Sequence, residues 1–167
     1  EKVHPDFLLH VGDLIYPYGQ WGGYKPLFYE PYKSVIAHAY FFPTVGNHDI
    51  REDGMHPFLY HFRLPKNRVY YSFVYDNALF IALDSNNVDE VQTQWLSDTL
   101  KAHAADSAIR WRVVFFHHPP VSNKNDLSEN QPIRHTWVPL FERCGVDMVF
   151  AGHNHLYTRF FPQNGVT

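Results

Sequence analysis

The sequence predicts an α/β fold in a single domain over residues 1–167. Three observations predict it. Short apolar runs alternate with stretches of helical period. Four of those apolar runs end in polar clusters far apart in sequence: Asp13, Asn47-His48, His117-His118 and His153-x-His155. Hydrophobic residues make up 45% of the 167-residue, 19.6 kDa chain, enough to bury a core and too many for a disordered one.

The elements follow in order. Phe7 to Val11 reads as a buried strand that Gly12-Asp13 ends. Pro17 to Tyr24, rich in Gly and aromatics, reads as an irregular loop. A helix is expected from about Leu27 to Ala39, with Pro31 disturbing its first turns. Phe41 to Val45 reads as a strand leading into the loop Gly46-Asn47-His48-Asp49. Arg51 to Arg68 has no clear period. Tyr70 to Tyr75 and Ala78 to Asp84 form a hairpin about Asp76-Asn77. A helix follows with Asp89 as its N-cap and Val91, Trp95, Leu96 and Leu100 as its apolar face. Arg112 to Phe116 is a strand ending at His117-His118-Pro119-Pro120. A helix from about Ile133 to Cys144 turns Trp137, Leu140, Phe141 and Cys144 inward, and Gly145 stops it. Val146 to Ala151 is a strand ending at Gly152-His153-Asn154-His155. Tyr157 to Phe161 begins another, with Asn164-Gly165 as its turn.

Charge and composition exclude several classes. Charged residues are 19% and the net charge is -3, which excludes a generic basic nucleic-acid binder. Cys144 is the one cysteine, so there is no internal disulfide and no cysteine-rich zinc site. The longest apolar run, Ala78 to Leu83, is far short of a membrane span. No leader segment is visible. Aromatics reach 17% and there are 12 histidines. Histidine is the commonest metal ligand and the usual proton carrier near neutral pH.

In sheets joined by crossover helices, strand ends of one sense share an edge, so the four clusters converge in space. Asp, Asn and His offer oxygen and nitrogen donors, which suit Zn, Mn, Fe or Ni better than a thiolate-seeking metal. An Asp can bridge two ions, and two ions about 3.5–4 Å apart can clamp a phosphoryl group. His153 and His155 alternate along an extended segment and are expected on one side of it.

The order Gly12-Asp13-Leu14-Ile15-Tyr16, Gly46-Asn47-His48-Asp49, Val114-Phe115-Phe116-His117 and Gly152-His153-Asn154-His155 resembles calcineurin-like metallophosphoesterases. Tyr16, three residues after Asp13, narrows the resemblance to the purple acid phosphatase branch. That branch reads G-D-x-G, G-D-x-x-Y, G-N-H-D/E, V-x-x-H and G-H-x-H in chain order, and the last four blocks are present over residues 12 to 155. The resemblance implies a four-layer α/β/β/α sandwich with two mixed sheets. It implies that Asp13 bridges two metal ions, that Tyr16 and His155 bind the first (ferric iron), and that Asn47, His117 and His153 bind the second (iron, zinc or manganese). It implies that His48 binds phosphate and protonates the leaving oxygen while a metal-held hydroxide attacks phosphorus. The implied substrate is a small-molecule phosphoric ester, a monoester first. The family's usual export implies a secreted or periplasmic setting.

The V-x-x-H spacing selects His117. If the strand continues, His118 points to the opposite side and is a packed or supporting residue. His10 reads as a strand residue facing its neighbours and His103 as a solvated helix residue. His56, His61 and His135 lie where loops could line the site. Tyr18, Trp21 and Tyr24 either line a pocket for the leaving group or pack the loop. No Asp-x-Gly or Asp-x-His precedes Phe7, so the first block has no counterpart. The chain therefore reads as an internal piece of a longer protein, with the fold incomplete at both ends. A phosphodiesterase or nucleotidase on the same scaffold, or a non-catalytic relative holding one metal, are the other readings.

Overall fold

The computed structural model describes residues 4–52, 55–65, 68–122 and 130–160. The alternation predicted from the sequence is realised as β1 (Phe7–His10), α1 (Glu30–Ile36), β2 (Tyr40–Pro43), α2 (His56–His61), β3 (Tyr71–Tyr75), β4 (Ala78–Ala82), α3 (Glu90–Ala102), β5 (Trp111–Phe115), α4 (Gln131–Thr136), α5 (Val138–Arg143) and β6 (Met148–Phe150). β1 and β2 pair in parallel, with Phe7 opposite Tyr40. The second sheet has the order β3-β4-β5-β6; its first pair is antiparallel and the other two are parallel. The second sheet is thus mixed as expected, while the first is a parallel pair.

The period-2 alternation of strand side chains divides the core into three layers of contact. Leu79, Ile81, Val114 and Phe116 point to one face of the larger sheet and meet Leu96, Leu100, Ile133, Trp137 and Phe141 of α3, α4 and the Trp137–α5 segment. Phe80, Ala82 and Phe115 point to the other face and meet Leu9 and Phe42 of the smaller sheet and Val11 just beyond it. Phe41, on the far side of β2, packs with Tyr32, Phe28, Phe58 and Phe62 under α1 and α2. Three cores between four layers give the α/β/β/α sandwich. Ring stacking knits the middle core: Phe42 lies 3.9 Å from Phe73, and Phe73 lies 5.0 Å from Phe80, both nearly coplanar.

Local chemistry sets the element ends. The β3–β4 hairpin closes on Asp76-Asn77, and Asp76 takes φ 51°, as a two-residue turn of this hand requires. Asp89 caps α3 by accepting the Gln92 N–H at 2.7 Å. Gly145, at φ 65°, ends α5.

Several expectations are corrected. The helix expected over 133–144 is two helices meeting at Trp137, because Pro139 has no N–H to continue the ladder and sits where a first turn tolerates it. The helix expected from Leu27 begins with a wide turn over Lys25–Tyr29, in which the Glu30 N–H reaches the Lys25 carbonyl; Pro31 likewise cannot donate to a regular ladder. Residues 56–61, read as lacking a period, form α2 with Pro57 in its first turn. Val91 is 68% exposed and does not join the buried face of α3. Residues 157–160 are not a strand, and the remainder of that predicted hairpin lies outside the described residues. No helix among the described residues is long and apolar enough to cross a membrane.

Candidate metal centre

The parallel pairings continue past the strand ends as single hydrogen bonds, and these carry the four clusters to one edge. Thr44 N–H donates to the His10 carbonyl at 2.8 Å, which sets the Gly12 turn beside Gly46. Phe116 N–H donates to Phe150 O at 3.1 Å and Gly152 N–H to His117 O at 2.9 Å, which sets His117 beside His153.

After β1 the chain turns through two successive left-handed residues, Gly12 at φ 86° and Asp13 at φ 58°. A Cβ on Gly12 would come within 2.7 Å of both Gly46 N and His117 Nδ1, so this close approach requires glycine. The strain at Asp13 is held by Asp49, which is fully buried. Its Oδ2 accepts the N–H groups of Asp13 and Gly46, each at 2.8 Å, and its Oδ1 accepts those of Leu14 at 2.8 Å and Ile15 at 3.0 Å. Burial pushes the Asp49 carboxyl upward, and the N–H bonds from Gly46, Ile15 and Leu14 pull against that rise.

Asp13 belongs to one triplet and touches a second. On one side the Tyr16 hydroxyl donates to Asp13 Oδ2 at 2.8 Å and lies 3.1 Å from His155 Nε2. On the other, His117 Nε2 lies 3.0 Å from Asn47 Oδ1, 3.2 Å from His153 Nδ1 and 3.2 Å from the same Asp13 Oδ2; His153 Nδ1 lies 3.1 Å from Asn47 Oδ1. All seven residues singled out in the sequence, His48 included, are brought together. His153 and His155 do not share one side of an extended segment, however. Both are left-handed, at φ 64° and 51°, and the curled segment sends one ring to each triplet.

The hydrogen-bond inventory tests the donor set for a cation. His117 Nδ1 lies 2.7 Å from the Val11 carbonyl oxygen, which can only accept, so the ring proton belongs on Nδ1. In the neutral ring, the Nε2 lone pair then faces Asn47 Oδ1 and Asp13 Oδ2. Three acceptors converge there, and what lies between them is either a proton on His153 Nδ1, 3.1 Å from Asn47 Oδ1 and 3.2 Å from His117 Nε2, or a cation. A cation satisfies such a cluster, and a histidine whose second nitrogen donates to a backbone carbonyl is the usual form of a metal-binding histidine. Burial alone would raise the Asp13 carboxyl. The hydrogen bond and positive charge that a doubly protonated His117 offers in the metal-free site, with the bonds from the His48 N–H and the Tyr16 hydroxyl, outweigh that and hold it below the ordinary carboxylate value. Burial, with the Asp13 bond, pushes the Tyr16 hydroxyl up to about 12.

His48 is tied to the same carboxylate through its backbone, whose N–H donates to Asp13 Oδ1 at 2.9 Å. Its ring lies over Tyr16 with centroids 4.3 Å apart, and its Nδ1 lies 2.7 Å from the Pro17 carbonyl. That carbonyl claims the Nδ1 proton and leaves Nε2 as the atom that can carry a transferable one. Arg51 Nη1 is 3.5 Å from His48 Nδ1, a contact rather than a strong hydrogen bond.

His118 corrects the sequence reading. β5 ends at Phe115, so His117 and His118 sit in a bend instead of on opposite faces of a strand. The His118 ring lies 4.9 Å from that of His117 and 4.6 Å from that of His153, and one ligand atom from each of the three falls within 4.8 Å of the others. Burial, then the neighbouring His117 and His153, lower the His118 ring to about 4. Ser85 lies beneath, with Oγ 2.9 Å from His118 Nδ1. Ser85, Arg51 and the scaffold role of Asp49 were missed, and His118 was expected as a packed or supporting residue but on the opposite side; the signal for Asp49 was its place directly after Asn47-His48.

The remaining candidates pack elsewhere. His61 stacks on the buried Tyr24 at 3.9 Å and bonds the Tyr29 hydroxyl at 3.0 Å, so Tyr24 packs its loop and does not line a pocket. Tyr18 and Trp21 are exposed. His10 rests between Tyr32 and Phe41. His103 follows α3 and its Nδ1 lies 2.9 Å from the Thr99 carbonyl.

Comparison with known proteins points to one family. The chain is 28% identical to an uncharacterised protein of Mycobacterium tuberculosis over 203 aligned positions, covering 99% of this chain and 36% of that one. It is 24% identical to purple acid phosphatase 17 of Arabidopsis thaliana, covering 93% of this chain and 54% of that one, and 35% identical to purple acid phosphatase 21 of the same plant over 103 residues, 59% of this chain and 23% of that one. The structure of a purple acid phosphatase from yellow lupin (Lupinus luteus) seeds superposes with a TM-score of 0.73 over 90% of this chain and 30% of that one, at 16% identity. The chain spans about a third of the length of the first relative. A model of the calcineurin-like phosphoesterase family matches residues 1–157, and the chain, purple acid phosphatase-like in its relatives and its fold, belongs to that family.

Proposed function

We propose that the chain is part of one catalytic domain that hydrolyses phosphoric monoesters at a dinuclear metal centre, iron paired with iron, zinc or manganese. Asp13, Tyr16 and His155 would hold one ion. Asn47, His117 and His153 would hold the other, with Asp13 Oδ2 shared between them. The supporting observation is that oxygen: it is 2.8 Å from the Tyr16 hydroxyl and 3.2 Å from His117 Nε2, so one carboxylate touches both groups of donors. When bound, two such ions supply the positive charge that offsets a transferring phosphoryl group and acidify water beside it.

The chain's own groups do the rest. Val11 O fixes the His117 tautomer, so Nε2 is delivered as an acceptor without further reorganisation. Asp49 fixes the backbone on which Asp13 stands. Pro17 O holds the His48 Nδ1 proton and turns Nε2 toward substrate, where it binds the phosphoryl group and gives its proton to the leaving oxygen. Parallel assays of a monoester and a diester of the same phenol, with metal content measured on the same preparation, test this reading. Faster turnover of the monoester is expected, with the ion on the Asn47–His117–His153 side held tightly and the ion on the Tyr16–His155 side held weakly, since no Asp-x-Gly block precedes Phe7 to complete its shell. Faster diester turnover moves the reading to a phosphodiesterase, and one ion with no turnover moves it to a structural metal site.

A further inference from the structure

Three histidines crowd the second triplet, and the hydrogen bonds around Ser85 decide how the third is used. Ser85 Oγ receives the backbone N–H of His117 at 3.2 Å and that of His118 at 2.9 Å. A hydroxyl has two lone pairs and one proton, so both lone pairs are taken. Its proton then has one destination, His118 Nδ1, 2.9 Å away. The His118 ring is therefore neutral with its proton on Nε2. A nitrogen that carries a proton cannot ligate a metal. Yet one ring nitrogen of His118 lies within 4.8 Å of those of His117 and His153, and the ring is buried, so the ring stands at the edge of the centre.

We propose that His118 is a positioning and substrate-binding residue: a fixed N–H donor to a phosphoryl oxygen, its tautomer set by Ser85, and not a third histidine ligand. The inference rests on the dinuclear reading above and adds a specificity contact to it. The donor costs no reorganisation when the oxyanion arrives, because a buried hydroxyl has already oriented it.

The test is spectroscopic first. Long-range proton–nitrogen spectra of the ¹⁵N-labelled protein, recorded without metal, with zinc, and with zinc and inorganic phosphate, read each ring nitrogen directly. His118 is expected to keep a protonated Nε2 throughout, with its N–H signal moving only on phosphate addition, while zinc moves His117 and His153. Coordination shifts on His118, or a proton on Nδ1, overturn the proposal. Titration calorimetry of zinc-loaded variants with inorganic phosphate gives a second reading. His118→Phe is expected to weaken phosphate binding about tenfold, the worth of one hydrogen bond to a charged group. His118→Gln, which keeps an N–H, should restore most of it. Unchanged phosphate affinity in His118→Phe removes this proposal alone. Failure of the unaltered protein to bind zinc removes the dinuclear reading, and this one with it.

Discussion

The Asp49 carboxylate holds the backbone N–H of Asp13 at 2.8 Å across 36 residues of sequence, and the same oxygen holds Gly46 N–H at 2.8 Å. One buried side chain thus clips together the two turns that carry Asp13 and Asn47. The other oxygen takes Leu14 and Ile15, so all four bonds need acceptors. Asp49→Asn turns one oxygen into an NH₂ group facing two backbone N–H donors. Leaving two buried donors unpaired should cost about 3 kcal/mol. Denaturant unfolding should show the loss, and metal affinity should fall with it even though Asp49 touches no candidate ion. Wild-type stability in Asp49→Asn would mean that the carboxylate is dispensable to the turns.

The two triplets should fail separately. His117→Ala removes a nitrogen from the Asn47–His153 side, and His155→Ala removes one from the Tyr16 side. Each should abolish one step of a two-step metal titration and leave the other within about tenfold. The lost step should weaken by more than the 10–100-fold typical when a ligand's outer partner is removed. Loss of both steps in both variants would point to a single shared ion.

His48 sits beside the carboxylate without joining either triplet, so its removal should spare metal binding. His48→Ala should lower turnover by about 10²–10⁴-fold, the usual worth of a positioned proton donor. The effect should be larger for an alkyl phosphate than for a nitrophenyl phosphate, because a nitrophenolate leaves without help. Steady-state rates on both esters check this. An equal drop on the two would assign His48 to phosphate binding alone.

The donor atoms were legible because each follows an apolar strand and carries a distinctive residue type: Asp13, Asn47, His117, His153 and His155 all converge as their positions predicted. What escaped the sequence was set by backbone partners and local curvature. Asp49 acts on four main-chain N–H groups, which leave no pattern among side chains. The direction of His118 escaped because β5 stops at Phe115, three residues short of where alternation would have turned it away. Trp137, Leu140 and Phe141 keep one apolar face across the break made by Pro139, so periodicity alone read two helices as one. The layers themselves were recoverable: Leu79 and Ile81 against Phe80 and Ala82 is the alternation that places one core on each side of β4.

Asp84, next to the serine that anchors His118, offers a pH-dependent check on the scaffold. It is buried, and burial raises its carboxyl above the ordinary value, opposed by bonds from the Asn86 side chain at 2.8 Å and the Asn86 N–H at 2.9 Å, both to Oδ1. In the unfolded chain this group ionises near pH 3.9. Above that pH the unfolded state has released a proton that the folded state still favours keeping. Stability from Asp84 is therefore full below about pH 3.9 and is lost as pH rises through the higher folded value. Asp84→Asn keeps the Oδ1 acceptor for both Asn86 bonds and has nothing to ionise. Its melting temperature relative to wild type should rise from pH 3.5 to pH 7, with the whole change falling between the unfolded and folded values. A difference that stays flat across that range, or shrinks with pH, would show that the Asn86 bonds stabilise the carboxylate at least as much as burial penalises it.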